Sequence, residues 1–183
     1  MTDTATACNH SDMPFTETLK DAKGRKTAKR RIVLIDIENV VGGLSAVRHY
    51  VSWAKVAVGE SVPVQPGDQV VIGVGPTGLL DLACAWKGVR YVMRRGQNGA
   101  DLALLDVLDE NLADRFTEVV LVSGDRIFTH AIAELASRGV KTTVVAHASG
   151  LSRRLELAAA EVRLLPEQPS PRSVAAVSNM DVA

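Results

Sequence analysis

Short, nearly uninterrupted apolar runs recur along the chain, and longer stretches with helical spacing separate them. A run such as RIVLIDI at 31–37 is typical of a strand that is buried on both faces of a parallel sheet. The intervening stretches are long enough to hold crossover helices. The pattern predicts strands at 31–37, 69–74, 89–93, 118–123, 141–146 and 162–165, and helices at 44–58, 76–86, 100–113, 127–138 and 152–160.

This alternation predicts an α/β fold with three layers, in which helices cover both faces of a mostly parallel sheet of strand order about 3-2-1-4-5. The length of 183 residues suits one domain, which we place at 30–165. Residues 1–29 are polar and then basic from about residue 20, so we expect a disordered arm. Residues 166–183 begin with three prolines in six positions and are expected to form a flexible tail.

The formal net charge is zero, from 21 Lys and Arg against 21 Asp and Glu, but the charges are unevenly distributed. Residues 20–31 carry seven bases and one acid, whereas residues 32–183 carry 14 bases and 17 acids. Clustered bases favour an arm that contacts phosphates, and a solvated linker is the alternative. Overall neutrality therefore does not exclude a nucleic-acid partner.

The chain lacks the sequence features of a secreted or membrane protein. Cys8 and Cys84 are its two cysteines, and they form no CxxC pair. No apolar run reaches the roughly 18 residues that a membrane span requires. The N-terminus is polar and acidic, unlike a signal peptide. We therefore expect a cytoplasmic protein without a membrane partner, and leave a homo-oligomer open.

Carboxylates follow the predicted strands at positions where ligands bind in open α/β sheets. Asp36 comes directly after the apolar residues of the first strand, and Asp125 follows the fourth strand in the sequence SGD. Asp101 opens the helix after the third strand. A carboxylate in a buried strand is costly unless it is paired, hydrogen-bonded or bound to a metal.

Each of these residues also has a structural interpretation. Asp36 could cap a neighbouring loop, and Asp125 could be an N-cap, which Ser and Asp both favour. Asn98 could cap the next helix, with Asp101 as the third residue of a capping box. Asp106 lies about 140° round the helix from Asp101 and is a secondary candidate.

If strands one and four are adjacent, Asp36 and Asp125 converge, and Asp101 could reach them from its helix start. Three carboxylates in one pocket repel each other unless a cation lies between them. An all-oxygen site suits Mg²⁺ or Mn²⁺ better than zinc. Such an ion can activate water for hydrolysis of a phosphodiester.

A competing motif follows the second strand. Gly73, Gly75 and Gly78 spell GxGxxG between a strand and a helix, and Arg94 and Arg95 follow the next strand, where an NADP-binding protein would hold the 2′-phosphate. The motif leaves the three aspartates unexplained, and a proline at 76 removes one amide from the phosphate cradle. Glycines in a tight turn are the structural alternative.

Together these segments resemble the NYN domain, a PIN-like nuclease family, over about residues 31–165. LIDIEN resembles the first-strand motif of the family, and NGADLALLDVL resembles its helix start with a later Asp. VVLVSGDRIF resembles the stretch around its Ser-Gly-Asp-x-Asp-Phe motif, and SGLSRRLELAAAEVRLLP is similar to its closing segment. The resemblance implies a PIN-like, Rossmann-like fold and a metal-dependent ribonuclease activity.

On this resemblance, Asp36, Asp101 and Asp125 would hold Mg²⁺ or Mn²⁺, and Asn39 would orient a ligand or the scissile phosphate. Asp106 and Ser123 are expected to support the site from outside the metal ligands. The chain departs from the family pattern in two places. Ile127 replaces the second Asp of the Ser-Gly-Asp motif, and Asn98 stands where a basic residue is common. The loss of one carboxylate favours one ion over two.

The expected partner is RNA. Basic residues near the strand ends or in the arm are candidates for contacts with its phosphates: Arg94, Arg95, Arg126, Lys29 and Arg30. The leading interpretation is a metal-dependent ribonuclease. The alternatives are a catalytically degenerate module that binds RNA or protein, which Ile127 motivates, and an NADP-binding protein.

Overall fold

The computed structural model describes residues 19–20, 26–27, 30–43 and 47–169. Its centre is a six-stranded sheet in which every neighbouring pair of strands is parallel. The strands are β1 (Arg31–Asp36), β2 (Gln69–Gly73), β3 (Arg90–Val92), β4 (Glu118–Val122), β5 (Lys141–Ala146) and β6 (Glu161–Leu164). Two further two-residue strands, Leu19–Lys20 and Lys26–Thr27, pair with each other in an antiparallel ladder.

The strand order across the sheet is β3-β2-β1-β4-β5-β6. The predicted α/β class and the predicted order of the first five strands are therefore confirmed, and β6 extends the sheet at one edge. Strand order reverses between β1 and β4, which pair directly along their length. The carboxyl ends of these two strands therefore meet at the position where ligands bind in this class of fold.

Helices cover both faces of the sheet. On one face, Val33 and Ile35 of β1 pack with the first three helices, and on the other Ile32 and Leu34 pack with the remaining ones. Successive side chains of a strand point to opposite faces, so a continuous apolar run serves two cores at once. The helices are α1 (Ile37–Val41), α2 (Val47–Ser61), α3 (Leu79–Ala85), α4 (Gly99–Leu108), α5 (Leu112–Arg115), α6 (Thr129–Ser137) and α7 (Arg153–Ala158).

Several predicted element boundaries differ from those in the structure. The first strand ends at Asp36 instead of residue 37, because Asp36 caps the short helix α1. The helix predicted at 100–113 is broken into α4 and α5, and Asn111 at the break has a positive φ of 52°. The helix predicted from residue 127 begins with a 3₁₀ turn at Arg126–Phe128.

Arg31 is the first residue of β1 and belongs to the fold, although it was counted with the bases of residues 20–31. Its guanidinium forms an ion pair with Asp68 and donates a hydrogen bond of 2.7 Å to the carbonyl of Pro63. Both charged side chains are largely buried, so the charge of Arg31 is neutralised locally and is not free for phosphates.

No helix within the described part of the chain is long and apolar enough to cross a membrane.

Gly99 allows α4 to begin close to the strand that precedes it. A Cβ atom at this position would lie 2.2 Å from the carbonyl oxygen of Arg94, and backbone cannot easily move away. We expect Gly99→Ala to lower the free energy of unfolding by about 1–3 kcal/mol, the usual cost of overpacking. Urea denaturation followed by circular dichroism measures it.

Gly59→Ala is the matched control. Gly59 lies in α2, and no atom lies within 4 Å of a Cβ added there. Alanine in a helix interior should instead stabilise the protein by up to about 1 kcal/mol. Equal effects of the two substitutions would contradict the close approach at Gly99.

Candidate functional site

Asp36 lies at the carboxyl end of β1 with only 2% of its surface exposed. Its Oδ1 accepts a hydrogen bond of 3.2 Å from the backbone N–H of Asn39, and its Oδ2 accepts one of 2.9 Å from the hydroxyl of Ser123. Asp36 thus caps the following helix α1. A second donor from the end of β4 fixes the side chain, so the carboxylate is held from two strands.

The Ser-Gly-Asp turn after β4 is joined to the end of β1. The side-chain oxygen of Asn39 accepts a hydrogen bond of 3.0 Å from the N–H of Gly124, and the Ser123 hydroxyl accepts one of 3.2 Å from the N–H of Asp125. Asp125 itself caps the 3₁₀ turn through its Oδ1, which accepts from the N–H of Ile127 at 3.0 Å. The side-chain oxygen of Asn39 therefore holds a loop, which is a positioning role.

Asp101 comes to this place from the first turn of α4, as the sequence predicted. Its carboxyl group lies within hydrogen-bonding reach of Asp36, and the charges of Asp125 and Glu38 act on it. We call Asp36, Glu38, Asp101 and Asp125 the acidic cluster. Asn98 has a positive φ of 56° at the N-cap of α4, but its side chain makes no capping bond, so the predicted capping box does not form.

Burial and mutual repulsion make it difficult for the acidic cluster to carry its full negative charge. Burial, and secondarily the charge of Asp101, raise the pKa of Asp36 to about 7, although the bonds from Ser123 and Asn39 oppose the shift. Burial also raises the pKa of Asp101, and the charges of Asp125 and Glu38 add to this effect. Without a cation, a proton between Asp36 and Asp101 relieves the repulsion.

Glu38 is the member of the cluster that the sequence reasoning did not select. Its Oε1 accepts a hydrogen bond of 2.7 Å from the N–H of Gly75, at the centre of the GxGxxG motif. Its position two residues after Asp36 is the sequence feature that points to it. This feature is weak, because a single Glu at the start of a helix is usually exposed to solvent.

The same contact disfavours the dinucleotide interpretation. In a phosphate cradle the glycine amides point at a ligand, whereas here a carboxylate of the protein already occupies the N–H of Gly75. A Cβ on Gly73 would lie 2.6 Å from the side chain of Leu104, so this glycine serves the packing of α4. The close packing of α4 against β2 explains why a glycine is needed at position 73, and no bound cofactor is required to explain it.

The donors of the cluster fit a hard divalent cation in their chemistry. All are carboxylate oxygens, and a cation would relieve the repulsion and burial that raise the pKa of Asp36 and of Asp101. Within the described residues, no group of three or more His, Cys, Asp or Glu side chains is arranged so that it could hold a metal ion. Mg²⁺ does not require one, because it commonly binds through one or two carboxylates and keeps several waters.

The structure separates several other predicted residues from the cluster. Asp106 is exposed and pairs with Arg94 at 3.3 Å, so its recorded partner is a surface arginine. Arg95 is exposed after β3. Arg30 lies over the ring of Phe116 at the start of β1, which is about 20 Å along the strand from Asp36. Lys29 lies outside the described residues.

Arg126 does lie next to the cluster, in a groove that begins at Asp125 and has a volume of about 680 Å³. The groove also contains Arg154 from the start of α7, a residue that the sequence reasoning did not select. Its only sequence signal is a pair of arginines after a predicted loop, and only the packing of α7 beside the 3₁₀ turn brings it to the site.

A model of a known protein family matches part of the chain. Residues 80–165 match the NYN domain. This segment of the chain is similar to the NYN domain. No curated protein matches the chain. Among solved structures, the chain is similar to a protein of unknown function from Vibrio parahaemolyticus RIMD 2210633. The TM-score is 0.49 and the sequence identity is 18%, and the match covers 76% of this chain and 94% of that chain.

The predicted resemblance to this PIN-like nuclease family is therefore confirmed. The matched segment of the NYN domain contains Asp101 and Asp125, whereas Asp36 and Asn39 precede it. These two residues are linked to the matched segment through the hydrogen bonds to Ser123 and Gly124. The pairing of β1 with β4 therefore places β1 in the same sheet as the strands of the matched segment.

The buried acid predicts an unusual dependence of stability on pH in EDTA. The pKa of Asp36 is about 7 in the folded protein and near its ordinary 3.8 when unfolded, so the folded state holds the proton more tightly. Stability from this group is full below pH 4 and declines as pH rises to about 7. We expect Asp36→Asn to remove up to about 4 kcal/mol of this decline, because the two pKa values differ by about three units and each unit is worth about 1.4 kcal/mol.

Denaturation at a series of pH values with EDTA measures the effect, and Asp114→Asn is its control. Asp114 is exposed and paired with Arg138, so that variant should keep the decline. Mn²⁺ should restore stability at pH 7–8 in the wild type more than in Asp36→Asn. Identical pH profiles for the wild type and Asp36→Asn in EDTA would contradict the raised pKa.

Proposed function

We propose that this protein is a ribonuclease that hydrolyses RNA phosphodiester bonds with the help of Mg²⁺ or Mn²⁺. The observation that carries the proposal is the buried carboxylate of Asp36 beside Asp101 at the carboxyl ends of the central strands. A protein that needed only a packed core would place an apolar residue there, because an uncompensated buried charge is costly. Asp125 and Glu38 add further negative charge at the same place.

Asp36, Asp101 and Asp125 would hold the cation. When bound, it would neutralise charge on the scissile phosphate and activate the attacking water. The protein contributes the positions of the three carboxylates, which come from β1, α4 and the turn after β4. Ligands from three separate elements would fix a cation more rigidly than ligands on one loop.

Ser123 and Asn39 act as positioning residues in this proposal. The Ser123 hydroxyl donates to the carboxylate of Asp36 and accepts from the N–H of Asp125, so one side chain links Asp36 to the backbone of Asp125. Asn39 joins α1 to Gly124 and prevents the ends of β1 and β4 from separating. Such supporting contacts orient the ligands of a metal and tune its affinity.

A second candidate function is a module that binds RNA or protein without cleaving RNA. The replacement of the second Asp of the family motif by Ile127 favours it, because Ile127 removes one carboxylate from the neighbourhood of Asp125. The remaining acidic cluster still carries four carboxylates when Glu38 is included. This supports a single cation and favours the nuclease as the leading proposal.

The nuclease proposal predicts cleavage of single-stranded RNA that requires Mn²⁺ or Mg²⁺ and stops in EDTA. Asp36→Asn, Asp101→Asn and Asp125→Asn should each reduce the rate by about 100-fold or more, since even supporting residues of metal sites are worth 10–100-fold. Asp114→Asn, which removes an exposed acid on α5, should retain full activity. Gel analysis of a labelled oligonucleotide measures the rates.

The binding of Mn²⁺, measured by calorimetry on the same variants, separates the two candidates. Mn²⁺ binding that depends on Asp36 and accompanies cleavage supports the nuclease. RNA binding without cleavage and without carboxylate-dependent Mn²⁺ binding would establish the degenerate module instead.

We also expect the basic arm to contribute to RNA affinity. Deletion of residues 20–29 removes five Lys and Arg residues and leaves the Arg31–Asp68 ion pair of the fold intact. RNA affinity and its salt dependence should both fall, by about 0.7 in the slope of log K against log salt for each lost phosphate contact. Mn²⁺ affinity should be unchanged, and an unchanged salt slope would support the linker interpretation.

A further inference from the structure

The groove beside Asp125 is not explained by the metal chemistry. Its volume of about 680 Å³ lies within the range of small-ligand sites in proteins. It runs from the acidic cluster over the 3₁₀ turn towards α7, and its lining includes Asn98, Asp125, Arg126, Ile127, His130 and Arg154.

The groove carries two exposed guanidinium groups from separate elements. Arg126 belongs to the 3₁₀ turn and Arg154 to the first turn of α7. In the described part of the chain neither forms an ion pair, whereas the adjacent Arg153 pairs with Glu156 at 2.8 Å. Two guanidinium groups that converge on one groove are well suited to bind phosphate oxygens.

The other lining residues indicate how a ligand would be recognised. Among the described residues, no Phe, Tyr or Trp side chain lines the groove, so it lacks the large rings on which bases usually stack. Ile127 and Ala133 provide a small apolar surface, and His130 lies 3.9 Å from Glu134 with most of its ring exposed. The groove therefore favours a ligand that is recognised by its phosphates.

We propose that this groove binds the RNA strand at a phosphate next to the scissile one, with Arg126 and Arg154 as the phosphate ligands. The inference rests on the proposed function, because the acidic cluster defines where the scissile phosphate lies. Asp125 belongs to both features, so a strand that reaches the cluster passes directly into the groove.

Ile127 gains a role in this arrangement. It occupies the position at which the family motif has a second carboxylate, and here it lines the groove together with Asp125 and the two arginines. A carboxylate at this position would repel a phosphate and would pair with the guanidinium groups. Isoleucine keeps the groove basic, so the departure from the motif favours retention of the strand.

Fluorescence anisotropy with a labelled single-stranded RNA, recorded in EDTA to prevent cleavage, tests the inference on the full chain. Arg126→Ala and Arg154→Ala should each weaken binding by about tenfold, in line with a hydrogen bond to a charged group. Each should also reduce the salt slope by about 0.7. Arg153→Ala is the matched control and should bind as the wild type does.

A second pair of variants tests the groove by adding charge instead of removing it. Ile127→Asp should weaken RNA binding by several-fold in EDTA, and the effect should diminish at high salt. Ile127→Val keeps the apolar surface and should have no effect. Thermal denaturation verifies that each variant is folded.

The outcomes distinguish this inference from the nuclease proposal. Weaker RNA binding in the Arg126 and Arg154 variants supports the groove, even if the wild type proves unable to cleave. Equal affinities for Arg154→Ala and Arg153→Ala, or for Ile127→Asp and Ile127→Val, would overturn it, even if cleavage depends on Asp36. A wild type that binds protein but no RNA would also overturn it.

Discussion

The hydrogen bond from the Ser123 hydroxyl to the buried carboxylate of Asp36 joins the ends of the two central strands. Strand order reverses between β1 and β4, and ligands bind beyond the carboxyl ends of such strands in this class of fold. The bond from Gly124 to Asn39 closes the same junction from the other side. The positions of α1, of the 3₁₀ turn and of the acidic cluster all depend on this junction.

Burial at this junction also changes the acid–base behaviour of Asp36. A carboxylate that is 2% exposed and next to another carboxylate resists ionisation, which is why the pKa of Asp36 rises to about 7. The protein could relieve this cost with an arginine, but in the described part of the chain no basic side chain pairs with Asp36 or Asp101. The negative charge is thus retained at the sheet edge, while the basic groups lie beside it in the groove.

The fold could be predicted closely from the sequence because its strands are buried on both faces. Uninterrupted apolar runs such as IVLI and VVLV leave little ambiguity about strands, and the helices between them require parallel pairing. Element ends were less predictable, because they depend on local side-chain bonds. Asp36 ends β1 through its capping bond, and the positive φ of Asn111 breaks a helix that hydrophobic spacing alone would continue.

For the candidate site, the sequence by itself determined the residue types, since Asp36, Asp101 and Asp125 follow strands in a pattern that predicts a common edge. Only the tertiary structure decided which other groups join them. Glu38 turns towards the cluster because the N–H of Gly75 holds it, and Arg154 reaches the groove because α7 packs beside the 3₁₀ turn. Contacts between distant segments depend on how the elements pack, and periodicity along the chain carries no information about them.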